Sequence, residues 1–265
     1  MSNAPNGYPK EALQNLVLAL ADDELILGHR DSEWTGYGPL LEEDIAFSNI
    51  AQDELGHSLV WFTIYEELTG KSPDAMAFER KAEDYMCCRF VEYPKGDFAY
   101  TVVRQYLFDE AEQVRLRAFA TSSYLSVKEA AGKIVREEAY HLLHSQALVE
   151  RLGNATEESS RRMQSAVDAA FPQALGMFEK LDREENLIEA GIFQGNKLLQ
   201  SEWLKRVVPV LKAAGLKVPV KDEHGSCIVS APADVGGRER NHTAHLSQLL
   251  DDMQFVYRMV PGAKW

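Results

Sequence analysis

The sequence has little cysteine and no long apolar run. Three cysteines in 265 residues, two of them adjacent, cannot form a disulfide framework, and their odd number is typical of a reducing compartment. No stretch of about 18 apolar residues is present, so no transmembrane helix is predicted. The first residues also lack the basic and then apolar layout of a secretory signal. These absences predict a cytoplasmic protein that does not cross a membrane.

Positive charge is outnumbered by negative charge, with 28 Lys and Arg against 41 Asp and Glu. The formal net charge is −13, which argues against a nucleic-acid-binding protein, because such a protein presents a basic face. The local basic pairs Arg161-Arg162 and Lys205-Arg206 are interpreted as solvated helix faces rather than phosphate clamps.

Alternating, strand-like patterns are rare, and helical periodicity dominates instead. The first helix is predicted from Leu13, Leu16, Val17, Leu20 and Leu27, which recur at steps of three and four residues. Thr156-Glu-Glu-Ser is a predicted helix cap, and Gly153-Asn154 is a predicted helix stop. The predicted helices span about 9–28, 40–69, 97–124, 126–152, a fifth that begins at Thr156, 195–214 and 240–259, and 217–238 is predicted to be a loop or a short extended excursion.

The order of these helices predicts an all-α fold. Two helix pairs with short internal connections, joined by a crossover of about 27 residues at 70–96, describe a ferritin-like four-helix bundle. We therefore predict a single domain over 1–265. Its core bundle is predicted at about 9–152, and additional C-terminal helices form an extension at about 153–265.

Several charged residues lie inside the apolar stripes of the four core helices. Burying a carboxylate costs several kcal/mol unless it is paired or binds a metal, so these positions are candidates for a site. Two Glu-x-x-His pairs place both side chains on one helix face. The candidate ligands are Glu24, Glu54, His57, Asp109, Glu138 and His141.

The candidate ligands repeat along the chain. Glu24 precedes Glu54 by 30 residues and Asp109 precedes Glu138 by 29, so a carboxylate followed by Glu-x-x-His occurs twice. Glu110 is an alternative to Asp109 on the third helix, but Asp109 matches the spacing better. A third pair, Glu239-x-x-His242, is interpreted as accidental, because it begins a late helix with no carboxylate-bearing partner helix.

Two Glu-x-x-His pairs and one carboxylate from each remaining helix form the recurring di-iron or di-manganese set. Histidine ligands favour iron over magnesium or calcium. The pattern therefore predicts a pair of iron ions, with manganese as the alternative metal. A hydrogen-bonded polar network without metal is the structural alternative.

Longer stretches resemble a known family. They are LADDELILGHRDSEWTGYGPLLEEDIAFSNIAQDELGH, GDFAYTVVRQYLF, REEAYHLLHS, NATEESSRRMQSAVDAAF and NHTAHLSQLLDDMQFVYRMVPGAKW. Together they cover nearly the whole chain. The sequence is similar to the phenylacetyl-CoA 1,2-epoxidase family, a multicomponent oxygenase of phenylacetate catabolism, and its C-terminal stretch resembles the C-type subunits.

The resemblance implies a multisubunit complex. In that family an A-type subunit with a di-iron site performs catalysis, and the C-type subunit supports it. A separate reductase component supplies electrons from NADPH, and the substrate is an acyl-CoA. The implied partners are therefore a reductase and a subunit of the A type, in a homo- or hetero-oligomer. QDELGH and the spacing from Asp109 to Glu138 look like the catalytic A-type subunit instead.

Two hypotheses follow. In the first, the chain is a C-type oxygenase component with its own di-iron site. In the second, it is a non-catalytic partner that stabilises an A-type subunit without binding metal.

Overall fold

The computed structural model describes residues 7–223, 226–260 and 263. Within those residues it contains eleven α-helices and one antiparallel hairpin. The elements are α1 (Lys10–Ser32), α2 (Leu41–Thr69), α3 (Pro73–Phe78), α4 (Arg89–Glu92), α5 (Phe98–Phe119), α6 (Leu125–Ala155), α7 (Glu157–Leu175), α8 (Glu184–Glu189), α9 (Asn196–Ala213), β1 (Val220–Glu223), β2 (Ser226–Val229), α10 (Ala244–Met253) and α11 (Phe255–Met259).

The predicted all-α fold class is confirmed: both long helix pairs, the crossover and the further C-terminal helices are present. None of the described helices is long and apolar enough to cross a bilayer. The chain divides into two compact units. The first comprises Met1–Pro94 with Gly236–Trp265, and the second comprises Lys95–Val235. The assignment of 1–265 to one domain stays a prediction.

In the first unit α1 and α2 pack as an antiparallel pair. Gln14 Nε2 donates to the carbonyl of Leu68 over 3.2 Å, and Ser58 Oγ donates to the carbonyl of Ala21 over 2.9 Å. Residues early in α1 therefore face residues late in α2. The apolar stripe predicted for α1 is buried along its length.

The crossover and the C-terminal segment complete the first unit. The crossover contains the short helices α3 and α4, and residues 85–88 between them are buried. Two buried ion pairs fasten these parts to α1, one between Asp22 and Arg80 and the other between Asp23 and Arg238.

In the second unit α5 and α6 form another antiparallel pair. Gln113 Nε2 donates to the carbonyl of Val135 over 3.0 Å, while Asp109 lies opposite Ser145, further along α6. The helices α7 and α9 also pack on α5. The indole of Trp203 in α9 donates to the carbonyl of Leu107 over 2.9 Å, which ties α9 to this central helix.

Four predicted boundaries are wrong. The helix α5 ends at Phe119 rather than at about residue 124. The helix α6 does not stop at Gly153-Asn154 but continues to Ala155, and Thr156 caps α7 as predicted. Gly153 serves close packing: a Cβ there would lie 2.5 Å from the carbonyl oxygen of Ala214. Likewise α1 continues to Ser32, and the predicted helix over 240–259 is two shorter helices, α10 and α11. The extended excursion within 217–238 is the hairpin of β1 and β2.

Candidate functional site

The helix pair of the first unit brings three predicted ligands together. Glu24 lies on α1, and Glu54 and His57 lie one turn apart on α2. Each offers a ligand atom, and these three atoms lie within 4.8 Å of one another. His57 Nδ1 is 3.5 Å from Glu54 Oε2, and the three residues are at most 2% exposed. We refer to Glu24, Glu54 and His57 as the α1–α2 ligand set.

A glycine allows the close approach of α1 and α2 at this set. A Cβ on Gly28 would lie 3.1 Å from the Ala51 carbonyl oxygen and 3.1 Å from the Glu54 Cβ. Any larger residue would push α2 away beside Glu54, because side chains rarely tolerate contacts this short. Gly28 therefore helps to place the Glu54 carboxylate near Glu24.

The second unit holds the other three predicted ligands. Asp109 lies on α5, and Glu138 and His141 lie one turn apart on α6. His141 Nδ1 is 3.2 Å from Glu138 Oε1, and ligand atoms of Asp109 and His141 lie within 4.8 Å of each other. The three residues are at most 4% exposed. We refer to Asp109, Glu138 and His141 as the α5–α6 ligand set.

Two hydrogen-bond donors orient the Asp109 carboxylate. Gln105 Nε2 donates to Oδ1 over 2.7 Å, and Ser145 Oγ donates to Oδ2 over 2.6 Å. Sequence reasoning missed both residues. The signal was present, since Gln105 is one turn before Asp109 and Ser145 is one turn after His141. Polar residues at that spacing face the same side of a helix as the ligand.

The two candidate ligands on α5, Asp109 and Glu110, lie in different surroundings. Glu110 Oε1 lies 3.6 Å from Arg206 Nε on α9, away from the ligand set. Burial raises the pKa of Glu110, and Arg206 opposes that rise. Asp109 instead lies beside His141. This placement agrees with the preference for Asp109, whose role as a ligand stays a prediction.

The donor chemistry of each set fits a divalent transition metal. Each set supplies two carboxylates and one imidazole, which suit iron or manganese better than the all-oxygen ligands of calcium or magnesium. In each ligand set, a Glu and a His lie three positions apart on one helix, and the second carboxylate lies on the helix packed against it. Carboxylates buried this deeply need a compensating cation or a full set of hydrogen bonds.

His242 has a carboxylate partner that the sequence did not reveal. Its Nδ1 lies 2.7 Å from Glu92 Oε1, a residue 150 positions earlier, rather than beside Glu239. The interpretation of Glu239-x-x-His242 as an accidental match therefore holds for Glu239, but the inference that His242 lacks a carboxylate partner is wrong.

These features define a class: an all-helical protein in which two long antiparallel helix pairs each carry a buried carboxylate–histidine set. Within that class, the chain belongs to the family of phenylacetic acid catabolic proteins, which it matches over residues 2–265.

Two proteins of Escherichia coli strain K12 are similar to the chain. The C-type subunit of 1,2-phenylacetyl-CoA epoxidase is 32% identical over 250 residues, which are 94% of this chain and 97% of that relative. The A-type subunit of 1,2-phenylacetyl-CoA epoxidase is 24% identical over 226 residues, which are 83% of this chain and 72% of that relative. The resemblance drawn from the sequence is therefore confirmed at the level of the family.

Proposed function

We propose that this chain is a C-type subunit of a phenylacetyl-CoA 1,2-epoxidase and that it carries a dinuclear iron site of its own. The observation that carries the proposal is the repeated ligand set. Each unit has a buried Glu-x-x-His pair beside a buried carboxylate from the neighbouring helix. The match to the C-type relative along nearly its whole length supports the choice of complex.

In this proposal the α1–α2 and α5–α6 ligand sets together hold two iron ions. Manganese is the alternative metal for the same ligands. When bound, such a pair supplies the activation of dioxygen, chemistry that protein side chains lack. The reductase of the complex would deliver electrons from NADPH, and the acyl-CoA substrate would bind beside the metal pair.

The protein's own residues contribute geometry and desolvation. Gln105 and Ser145 hold the Asp109 carboxylate in one orientation, which limits the directions in which it can offer its lone pairs. The apolar neighbours of the ligands on all four helices exclude water, which strengthens the attraction between carboxylate and cation.

Iron content tests the metal site. The purified chain, loaded anaerobically with iron and desalted, is expected to retain about two irons per chain, as such sites do. Glu54→Ala should lower the number of bound irons, because it removes one of the carboxylates that would bind the metal ions and neutralise their charge. Glu66→Ala, which changes an exposed glutamate on the same helix, is the matched control. Fewer than one iron per chain, with Glu54→Ala indistinguishable from the unaltered chain, contradicts the proposal.

A second candidate function is a metal-free partner that stabilises an A-type subunit. The resemblance to the C-type subunits, which support the catalytic A-type subunit in that family, favours the partner role. Co-expression separates the two functions. A pure partner keeps an A-type subunit soluble and leaves its turnover of phenylacetyl-CoA unchanged when Glu54→Ala replaces the unaltered chain. A metal-bearing component with a catalytic part lowers turnover in the same exchange, while co-purification persists.

A further inference from the structure

A third cluster of metal-binding residue types lies in the first unit and shares no residue with either ligand set. Cys87 lies between α3 and α4, Glu92 ends α4, and His242 precedes α10. Cys87 Sγ is 4.0 Å from His242 Nδ1 and 4.0 Å from Glu92 Oε1, and these last two atoms are 2.7 Å apart. The side chains of Glu92 and His242 are 0% and 4% exposed, and Cys87 is fully buried.

The hydrogen bonds of His242 require a proton or a metal ion at its Nδ1. Nε2 lies 3.0 Å from the carbonyl oxygen of Tyr85, which can only accept, so Nε2 carries a proton. A neutral imidazole then has a bare lone pair on Nδ1, and this lone pair faces an oxygen of Glu92. Two acceptors at this distance repel each other unless a second proton or a metal ion lies between them.

Hydrogen bonds from neighbouring groups hold Glu92 and His242 in place, as supporting residues hold the ligands of metal sites. The second oxygen of Glu92 accepts from both the N–H and the hydroxyl of Thr243, each over 2.7 Å. A backbone carbonyl behind a ligating imidazole and hydrogen bonds to a ligating carboxylate are the usual partners in metal sites. They leave Oε1 of Glu92 and Nδ1 of His242 facing each other, each 4.0 Å from the thiol sulfur.

The backbone that carries Cys87 is fixed on both sides. Asp22 accepts the N–H of Met86 over 2.8 Å, and Asp23 accepts the N–H of Cys88 over 2.7 Å. Gly237 of the C-terminal segment approaches so closely that a Cβ there would overlap the carbonyl oxygen of Cys87. The cluster is therefore held between two segments that are about 150 residues apart in sequence.

We propose that Cys87, Glu92 and His242 bind a zinc ion that clamps the crossover to the C-terminal segment. Sulfur, nitrogen and oxygen ligands around tetrahedral zinc lie about 3.4–3.6 Å apart. The two sulfur separations must shorten by about 0.5 Å, and the separation between Nδ1 and Oε1 must lengthen by about 0.7 Å. A thiolate and a carboxylate neutralise the ion, so the buried site carries no net charge.

Burial raises the pKa of Cys87, and the charge of Glu92 raises it further, so the thiol is protonated until a cation displaces its proton. Three protein ligands leave the fourth position to water or another small ligand. This site does not depend on the proposed epoxidase function, and it is spectroscopically distinct, since neither of the other ligand sets contains cysteine.

Cobalt substitution tests the site on the full-length chain. Cobalt(II) added to metal-free protein is expected to give the intense visible bands of a tetrahedral ion and a thiolate-to-cobalt charge-transfer band. Cys87→Ser should abolish the charge-transfer band, and His242→Gln should weaken cobalt binding at least tenfold. Cys88→Ser alters the adjacent buried cysteine and should leave the spectrum unchanged. Circular dichroism checks that each variant is folded.

Thermal unfolding gives a second measurement. Zinc at about one hundred times its Kd is expected to raise the Tm by about 5–10 °C, and chelation should reverse the rise. The rise should persist in Glu54→Ala and be lost in Cys87→Ser and His242→Gln. No charge-transfer band in the unaltered chain, or a band that survives Cys87→Ser, overturns the proposal and identifies the cluster as an imidazolium–carboxylate pair.

Discussion

At the scale of the residue, partial burial changes the protonation of His29 near the end of α1. Burial, and then the charge of Arg30, lower the pKa of this imidazole to about 4. The folded chain therefore holds this imidazole neutral across a pH range in which the unfolded chain protonates it.

Stability should fall as the pH drops from about 6.5 towards 4. In that interval the unfolded state binds a proton at His29 that the folded state does not, so the free energy of unfolding increases with pH there. Above the unfolded pKa the contribution is fully present. Replacing His29→Gln should reduce the loss between pH 7 and pH 5 by about 1–2 kcal/mol, measured by urea denaturation. An equal loss in both proteins would refute the effect.

Ser145 offers a second prediction at this scale. Ser145→Ala removes one of the two donors that orient Asp109, without removing any proposed ligand. Loss of such a supporting hydrogen bond lowers metal affinity by about 10–100-fold. Iron competition with a chelator measures the change. Ser201→Ala, an exposed serine of α9, should leave the affinity unaltered.

At the scale of the element, the close contact of α1 and α2 depends on the absence of one side chain. A glycine-to-alanine substitution would meet a crowded environment at one helical glycine, Gly28, and open space at another, Gly56. A Cβ on Gly28 would lie 3.1 Å from the carbonyl oxygen of Ala51, whereas a Cβ on Gly56 would meet nothing within 4 Å.

Gly56→Ala should therefore stabilise the protein by up to about 1 kcal/mol through helix propensity alone. Gly28→Ala should be less stable than Gly56→Ala by about 1–2 kcal/mol, because crowding opposes the same gain in propensity. Chemical denaturation of both variants gives the difference. Equal stability of the two variants would show that the close contact of α1 and α2 does not depend on Gly28.

At the scale of the whole molecule, side chains far apart in sequence fasten the first unit. Arg238 donates to both carboxylate oxygens of Asp23, over 2.9 and 2.5 Å, and to the carbonyl of Met86 over 2.7 Å. These bonds connect the C-terminal segment with α1 and with the crossover. The pair is buried, so it has little contact with screening solvent.

Arg238→Met should cost about 3–5 kcal/mol, because it leaves the Asp23 carboxylate buried without its cation. The C-terminal segment should also become sensitive to limited proteolysis. Arg161→Met removes a pair with Glu158 that is largely exposed, so solvent screens it and its loss should cost far less than that of Arg238→Met. Similar unfolding free energies for the two variants would show that the buried pair does not fasten the unit.

Much of the fold was predictable because local signals agreed with one another. The stripe from Leu13 to Leu27 and the cap at Thr156 depend on neighbours within a few residues, and both were predicted. The predicted helix stop at Gly153 was wrong because this glycine packs closely against Ala214, which is distant in sequence. A glycine needed for packing cannot be distinguished from a helix terminator by local pattern.

The sequence by itself determined the helical class, the family and the doubled carboxylate–histidine pattern, because each depends on spacing within a helix or on long matched stretches. Only the tertiary structure decided that Ser145 orients Asp109, that Glu110 faces Arg206, and that Cys87, Glu92 and His242 meet. Those contacts join residues with no fixed spacing. These residues meet only because helices and loops pack against one another. Periodicity along the chain does not predict which elements pack together.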